Sequence, residues 1–187
     1  FLHALALGGD DGFRGGHRTR GDDGGPLVDT VVNAPAGRGM AAAIVVLWTA
    51  FALRLFRLAD ANIWWDEGWT IWVARQSAVD IARRMAADVH PPLYVWLLHV
   101  WRICAGDGEF AVRFLSVAFG TLTVAALWHL GRLLFPGKPW WVFAAALLLA
   151  LSRFAIWWSQ ETRMYMLAGL LCTLSLAFTV RLRWRAD

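Results

Sequence analysis

"HPPLYVWLLHVWRICAG" occupies residues 90–106, and whether it crosses a membrane decides how the rest of the chain is threaded. Between Pro92 and the Ala-Gly pair at 105–106 lie roughly a dozen residues, His99 and Arg102 among them, where a spanning helix needs about 20 apolar ones. The segment is too short to cross comfortably. An amphipathic helix lying in the outer interface fits it better, with a true short span as the alternative.

Working outward, four longer apolar runs flank this helix. They cover roughly 41–59 ("AAAIVVLWTAFALRLFRLA"), 111–135, 140–158 and 164–181. The composition agrees with them: 58% of the 187 residues are hydrophobic, 13 are tryptophan, and the mean hydropathy is +0.47. Long apolar runs with few charges point to lipid rather than to a soluble core. The formal charge of +4 is not a nucleic-acid footprint, because several basic residues sit beside apolar runs; no nucleic-acid partner is expected. Cys104 and Cys172 lie in separate apolar segments without motif spacing and read as small packing residues.

Lysine and arginine in the short connections orient the spans. Arg132 and Lys138 flank the turn "FPGKP", and Arg181, Arg183 and Arg185 follow the last run, so both places are assigned to the cytoplasm. The connection "SQETR" and the loop at 60–110 then fall on the other side. A crossing at 90–106 would put "SQETR" and "FPGKP" on the wrong sides. Arg54 and Arg57, near the outer end of the first span, are expected to snorkel. Trp140, Trp141, Trp157, Trp158 and Trp184 mark span ends. Within the loop, a first interfacial helix is expected over 68–86, with Trp69, Ile71, Trp72, Ile81 and Met85 on its apolar face and Arg75, Arg83 and Arg84 in water.

The fold expected is thus an all-α polytopic membrane protein with about four transmembrane helices and two interfacial helices in its first extracytoplasmic loop. Residues 1–39 are rich in Gly, Asp and Arg and have no apolar period. They are expected to be a disordered tail or a mis-assigned upstream segment, with a transmembrane domain over 40–187.

Three polar clusters share the non-cytoplasmic side: Asp66-Glu67, His90-Pro91-Pro92 and Gln160 to Arg163. Polar groups at the membrane edge are candidates for function, although each has a plain structural reading. Asp66 has the residue type of an N-cap for the helix that follows, with Glu67 favoured by its dipole. His90 suits a loop before a helix that begins with proline, and Glu161 with Arg163 suits a solvated turn. His129, alone inside the second run, reads as packed; Arg153 reads equally as a phosphate contact or a snorkelling side chain. Together the clusters offer a carboxylate able to act as base, a second acid and several cations. That set suits transfer of a group from a phosphate leaving group to a hydroxyl.

"IWWDEGWT", "DVHPPLYVWLLHVW", "GEFAVRFLSVAFGTLTVAALWHLGRLLF" and "WWSQETRMYML" follow one another in the order and spacing of a known family. Over residues 45–183 the chain resembles the N-terminal part of GT-C glycosyltransferases, the bacterial relatives of protein O-mannosyltransferases and of the aminoarabinose transferase acting on lipid A. The resemblance implies a polyprenyl- or dolichyl-phosphate sugar donor, an acceptor hydroxyl on protein, lipid or glycan, inversion at the anomeric carbon, and an extracytoplasmic site in a bacterial inner membrane. It implies that Asp66 deprotonates or orients the acceptor, that Glu67 completes the acidic pair, and that Glu161 is the second-loop acid. It places His90, Arg163, Tyr165 and, more weakly, Arg113 near the donor phosphate.

No metal is expected to be obligatory, although acids on two loops leave a shared divalent ion open. Two departures stand out. Family members carry many more spans, so the chain reads as a fragment, and Arg153 stands where a small residue or proline is typical. The competing readings are a non-catalytic polytopic protein, transporter-like or an assembly subunit, and an inactive truncation.

Overall fold

The computed structural model describes residues 36–186. The tail expected at 1–39 therefore lies outside the described residues, except that 36–39 already belong to the first helix. Every regular element among the described residues is helical: α1 (Ala36–Leu55), α2 (Trp65–Ala74), α3 (Ala78–Ala86), α4 (Leu93–Ala105), α5 (Glu109–Leu134), α6 (Pro139–Leu151), α7 (Arg153–Ser159) and α8 (Tyr165–Ala186).

Two helices, α5 and α8, are long and apolar enough to cross a membrane, and α6 with α7 makes a third if the bent pair is one span. The apolar part of α1, Gly39–Leu55, is just short of that length. The first span was expected to continue to 59, but the helix stops at Leu55. Its chain then turns through Arg57, whose φ of 59° is left-handed, with Arg57 Nε donating to Asp60 Oδ2 at 2.6 Å.

α5 is the central post. It packs against α1, α4, α6, α7 and α8. At one end, Val124 of α5 meets Val46 and Ala50 of α1 and Ala146 and Ala150 of α6, small residues that let the backbones approach. At the other end, Val112 of α5 and Leu167 of α8 join Ile71, Ile81, Tyr94 and Leu98 from the loop helices. The loop is therefore docked on the bundle by its own apolar core.

Two expected helices are broken. The helix at 68–86 is two helices, separated at 75–77, because Ser77 starts a new one. Its Oγ accepts from Asp80 N at 3.2 Å and donates to Asp80 Oδ2 at 2.6 Å, a serine N-cap steadied by a side-chain bond. Of the expected apolar face, Ile71, Ile81 and Met85 are buried while Trp69 and Trp72 stay exposed. The three arginines are exposed as expected, and Arg84 lies 4.4 Å over the Trp72 ring. The loop thus holds three helices, not two.

The span at 140–158 is also interrupted: α6 and α7 meet at Ser152 with a bend of 56°. Ser152 is extended and its Oγ accepts from Ala155 N. The segment 90–106 forms α4, thirteen residues closed by Gly106 at a φ of 89°, a backbone state that glycine adopts without strain. Indole N–H groups tie this helix down: Trp96 donates to Ala78 O at 3.0 Å and Trp101 to Ala111 O at 2.7 Å.

Three further expectations differ. His129 is exposed on α5 rather than packed, both cysteines are free and exposed, and Arg54 is buried rather than snorkelling. The first two lie on outward faces: the buried positions of α4 are taken by Tyr94, Val95 and Leu98 and those of α8 by Leu167, Leu170 and Ala177, and on α5 Leu130 rather than His129 turns inward. The third answers a need created by the break at Ser152. Unpaired carbonyls cannot be left in an apolar interior, and Arg54 reaches Ala150 O at 3.2 Å and Leu149 O at 3.4 Å. Arg153 is exposed beside Phe154, Trp157 and Trp158.

Candidate functional site

The two adjacent acids of "WWDEGW" begin α2 and point in different directions. Successive residues on a helix differ by about 100°, so Glu67 faces the bundle while Asp66 stays at its rim. Asp66 is not the N-cap; Trp64 holds that position without a side-chain bond, and Asp66 and Glu67 fill the first turn. Both charges gain there from the helix dipole.

Glu67 is completely buried. Arg113 of α5 meets it side-on, with Nε 2.9 Å from Oε1 and Nη2 2.7 Å from Oε2. The remaining donors of Arg113 go to Leu58 O (3.1 Å), Ala61 O (2.7 Å) and Asn62 O (3.3 Å). All five guanidinium N–H groups are thereby used. Glu67 Oε1 also accepts from Thr162 N at 2.8 Å. Burial alone would raise the Glu67 pKa, but the Arg113 guanidinium and the Thr162 N–H outweigh it and hold the carboxyl below its ordinary range.

The expectations for these two residues change accordingly. Arg113 has no donor left for a donor phosphate, and Glu67 has no free oxygen edge for a substrate. Together they join the loop at 58–62, helix α2, helix α5 and the segment at 162.

Asp66 is in the opposite condition. Its side chain is 43% exposed, and its nearest cation is Arg163, with Nη2 4.0 Å from Oδ2. Arg163 is itself 8% exposed. Nη1 donates to Asp66 O and Thr70 Oγ1, both at 3.3 Å, while Nε has no partner among the described residues.

The neighbouring polar atoms are also unfilled. Glu161 Oε2 and Thr162 Oγ1 are buried without a hydrogen-bond partner. Burial raises the Glu161 carboxyl above its ordinary range against the Trp157 side chain, and the Glu67 charge adds to the rise.

His90 shares a shallow cleft with Arg163, Thr70, Trp69 and Asp88. Its Nδ1 is 3.4 Å from Asp88 Oδ2, and that Asp88 carboxylate lies below its ordinary range, chiefly through the Val89 N–H. Tyr165 is exposed at the start of α8, its ring 4.1 Å from Trp158 and 5.8 Å from the Arg163 guanidinium carbon.

The structure therefore brings Asp66, Glu67, Glu161 and Arg163 together and sets His90 in the same cleft as Arg163. Tyr165 borders the group, and Arg113 lies behind it as a support.

Two residues missed in the sequence complete the site. Tyr94 of "HPPLY" is buried with its Oη 2.8 Å from Ser116 Oγ, and Ser116 Oγ also lies 3.3 Å from Arg163 O. The Tyr94 hydroxyl is pushed well above its ordinary range by burial, so it stays protonated. This chain couples α4 to the segment carrying Arg163. The signal available was a polar tip on an otherwise apolar helix face.

Among the described residues no three His, Cys, Asp or Glu side chains converge as a metal site. The acids that remain open to an ion are Asp66 and Glu161, since both Glu67 oxygens are occupied.

Comparison with known proteins bears on this arrangement. The family described as dolichyl-phosphate-mannose-protein mannosyltransferase matches residues 89–186, a little over half of the chain. The match takes in His90, Arg113, Glu161, Arg163 and Tyr165 and begins after Asp66 and Glu67. No curated protein and no solved structure matches the chain. On the family match and the apolar helices, the chain belongs to the dolichyl-phosphate-mannose-protein mannosyltransferase family, integral membrane glycosyltransferases of the polyprenyl-phosphate-sugar type.

Proposed function

We propose that the chain carries the catalytic loop of an inverting transferase that moves a sugar from a polyprenyl or dolichyl phosphate to an acceptor hydroxyl. The observation that carries this reading is the unequal treatment of the two neighbouring acids. Glu67 is saturated, whereas Asp66 is exposed beside a buried arginine with an unused donor.

In the step proposed, the acceptor oxygen attacks the anomeric carbon and its proton passes to the Asp66 carboxylate. The bond from that carbon to the phosphate oxygen breaks, and the electron pair leaves with the phosphate. A base positioned in this way contributes about 10²- to 10⁴-fold. Arg163, with His90 in the same cleft, stabilises the charge left on the phosphate. Attack opposite to the departing phosphate inverts the anomeric centre. Arg163 already supplies a cation beside Asp66, so transfer is expected to proceed without an added divalent ion.

The site lies at the α5 end opposite the "FPGKP" turn with Arg132 and Lys138. The positive-inside rule supports an extracytoplasmic position for it, and the membrane proposed is a bacterial inner membrane. The acceptor, whether protein, lipid or glycan, has to approach from that side.

The test uses the full gene product in membranes, supplied with a labelled polyprenyl-phosphate sugar. Label is expected to move to a hydroxyl acceptor in the wild type, and Asp66→Asn is expected to lower the rate by about 10²-fold or more. Transfer by Asp66→Asn at the wild-type rate would remove Asp66 from the chemistry.

A further inference from the structure

Arg54 stands outside the cleft and is completely buried. Among the described residues no carboxylate comes within ion-pair distance of it. An unpaired buried cation is costly at membrane depth, so what surrounds it has to compensate. The compensation is a ring of oxygens from three helices. Nη1 donates to Ala50 O at 3.0 Å and Ala150 O at 3.2 Å, Nη2 to Leu149 O at 3.4 Å, and Nε to Ser159 Oγ at 3.1 Å. The guanidinium thus lies where the C-terminal, negative ends of α1 and α6 converge, the position where a helix dipole favours a cation.

The connection also runs in the other direction. Gln160, next after Ser159, donates from Nε2 to Arg54 O at 3.1 Å and to Phe56 O at 2.9 Å. Gln160 thus closes carbonyls at and just past the end of α1, while Arg54 takes carbonyls at the end of α6 and the Ser159 hydroxyl of α7. The space is closed from behind by α5: a Cβ on Gly120 would collide with Ser159 Oγ and stand 3.0 Å from Arg54 Nε. The residues that follow at once are Glu161, Thr162 and Arg163.

We infer that Arg54 is a positioning residue for the transfer: its guanidinium holds Ser159, beside the Gln160 bond to its main-chain carbonyl, and so fixes the segment Glu161–Arg163 against Asp66 at the mouth of α2. The inference rests on the site reading given above. A guanidinium can serve the α6 carbonyls and Ser159 at once because its donors are spread over a rigid fork. A lysine ammonium offers its donors from one point and keeps only the charge. Misplacement of a reacting group by about 1 Å can cost on the order of 100-fold in rate.

The test compares wild type, Arg54→Lys and the milder Ser159→Ala in the full gene product, held in lipid nanodiscs, by amide hydrogen exchange and by transfer kinetics. In Arg54→Lys, exchange at 160–164 is expected to rise at least tenfold, because the segment loses its anchor at Ser159 and with it the fixed bond from the Thr162 amide to Glu67 Oε1. Exchange over α5 stays at the wild-type level. The kcat falls tenfold to a hundredfold while the donor KM stays within twofold. Ser159→Ala moves both readouts the same way by a smaller factor.

Wild-type exchange at 160–164 together with wild-type kcat in Arg54→Lys would overturn the inference. So would a general rise in exchange across α5 in both variants, which marks a merely structural role. A wild type that transfers no sugar would overturn the reading of the site, and the exchange rates would still decide whether Arg54 holds the segment.

Discussion

Glu67 and Asp66 are neighbours in the chain and opposites in the fold. Around Glu67, a two-point ion pair with Arg113, three backbone carbonyls and the Thr162 N–H give both carboxylate oxygens and all five guanidinium N–H groups a partner. Around Asp66, the nearest cation stays 4.0 Å away, and buried atoms of Glu161, Thr162 and Arg163 have no partner. Buried polar groups are normally paired, and a cluster that is not requires an explanation. The saturated side holds four segments of chain together. In the function proposed, the unsaturated side is where a sugar, a phosphate and a hydroxyl supply the missing partners, one helical step away from the scaffold.

The comparison breaks most easily at its saturated side. Arg113→Leu leaves Glu67 buried without its partner, a change that costs about 3–5 kcal/mol. The expected outcome is a large drop in the thermal midpoint of the detergent-solubilised protein, partly restored by adding Glu67→Leu. A loss below about 1 kcal/mol, the scale of an exposed pair, would mean that the pair is not the scaffold.

On the unsaturated side, Arg163→Lys is expected to lower kcat by about 10²-fold, the usual consequence of losing a donor aimed at developing charge. The thermal midpoint should move little. Equal effects of Arg113→Leu and Arg163→Lys on stability would erase the distinction.

The smallest effect concerns pH, and the two buried acids act with opposite sign. The Glu67 pKa is depressed, so its stabilisation is present above the ordinary glutamate value and is lost as pH falls through its folded value. The Glu161 pKa is raised, so its ionisation penalises the fold at neutral pH and the penalty disappears on acidification. Glu161→Gln should therefore raise the thermal midpoint near neutrality and converge with wild type in acid. A midpoint difference that grows toward acid would contradict the burial of Glu161.

Much of this was legible in the sequence, and what was missed has physical causes. The long apolar runs announce α5 and α8 because length and hydropathy suffice to define a span. The shortness of 90–106 kept α4 apart from them. The clustering of Asp66, His90 and Glu161 on one side followed from where the basic turns lie.

The breaks at 75–77 and at Ser152 were harder, since each depends on a serine cap that competes with an otherwise continuous apolar pattern. The "SAVD" stretch at 77–80 was a usable signal. The burial of Arg54 was not readable, because its partners are carbonyls freed by a break elsewhere. Nor could the sequence separate the duties of two adjacent acids or withdraw Arg113 from phosphate binding. Those depend on which way α2 faces α5, forty-six positions away in the chain.

The central claim, that Asp66 does the chemistry and Glu67 holds the fold, is tested most directly by one paired measurement. Asp66→Asn and Glu67→Gln are compared in the full gene product for sugar transfer per folded molecule and for thermal midpoint. The account predicts that Asp66→Asn loses about 10²-fold or more in rate with an unchanged midpoint. It predicts that Glu67→Gln lowers the midpoint while the surviving folded molecules transfer within about tenfold of wild type, far short of the loss from removing a general base. The reverse pattern, a stable but inactive Glu67→Gln beside an active Asp66→Asn, would contradict it.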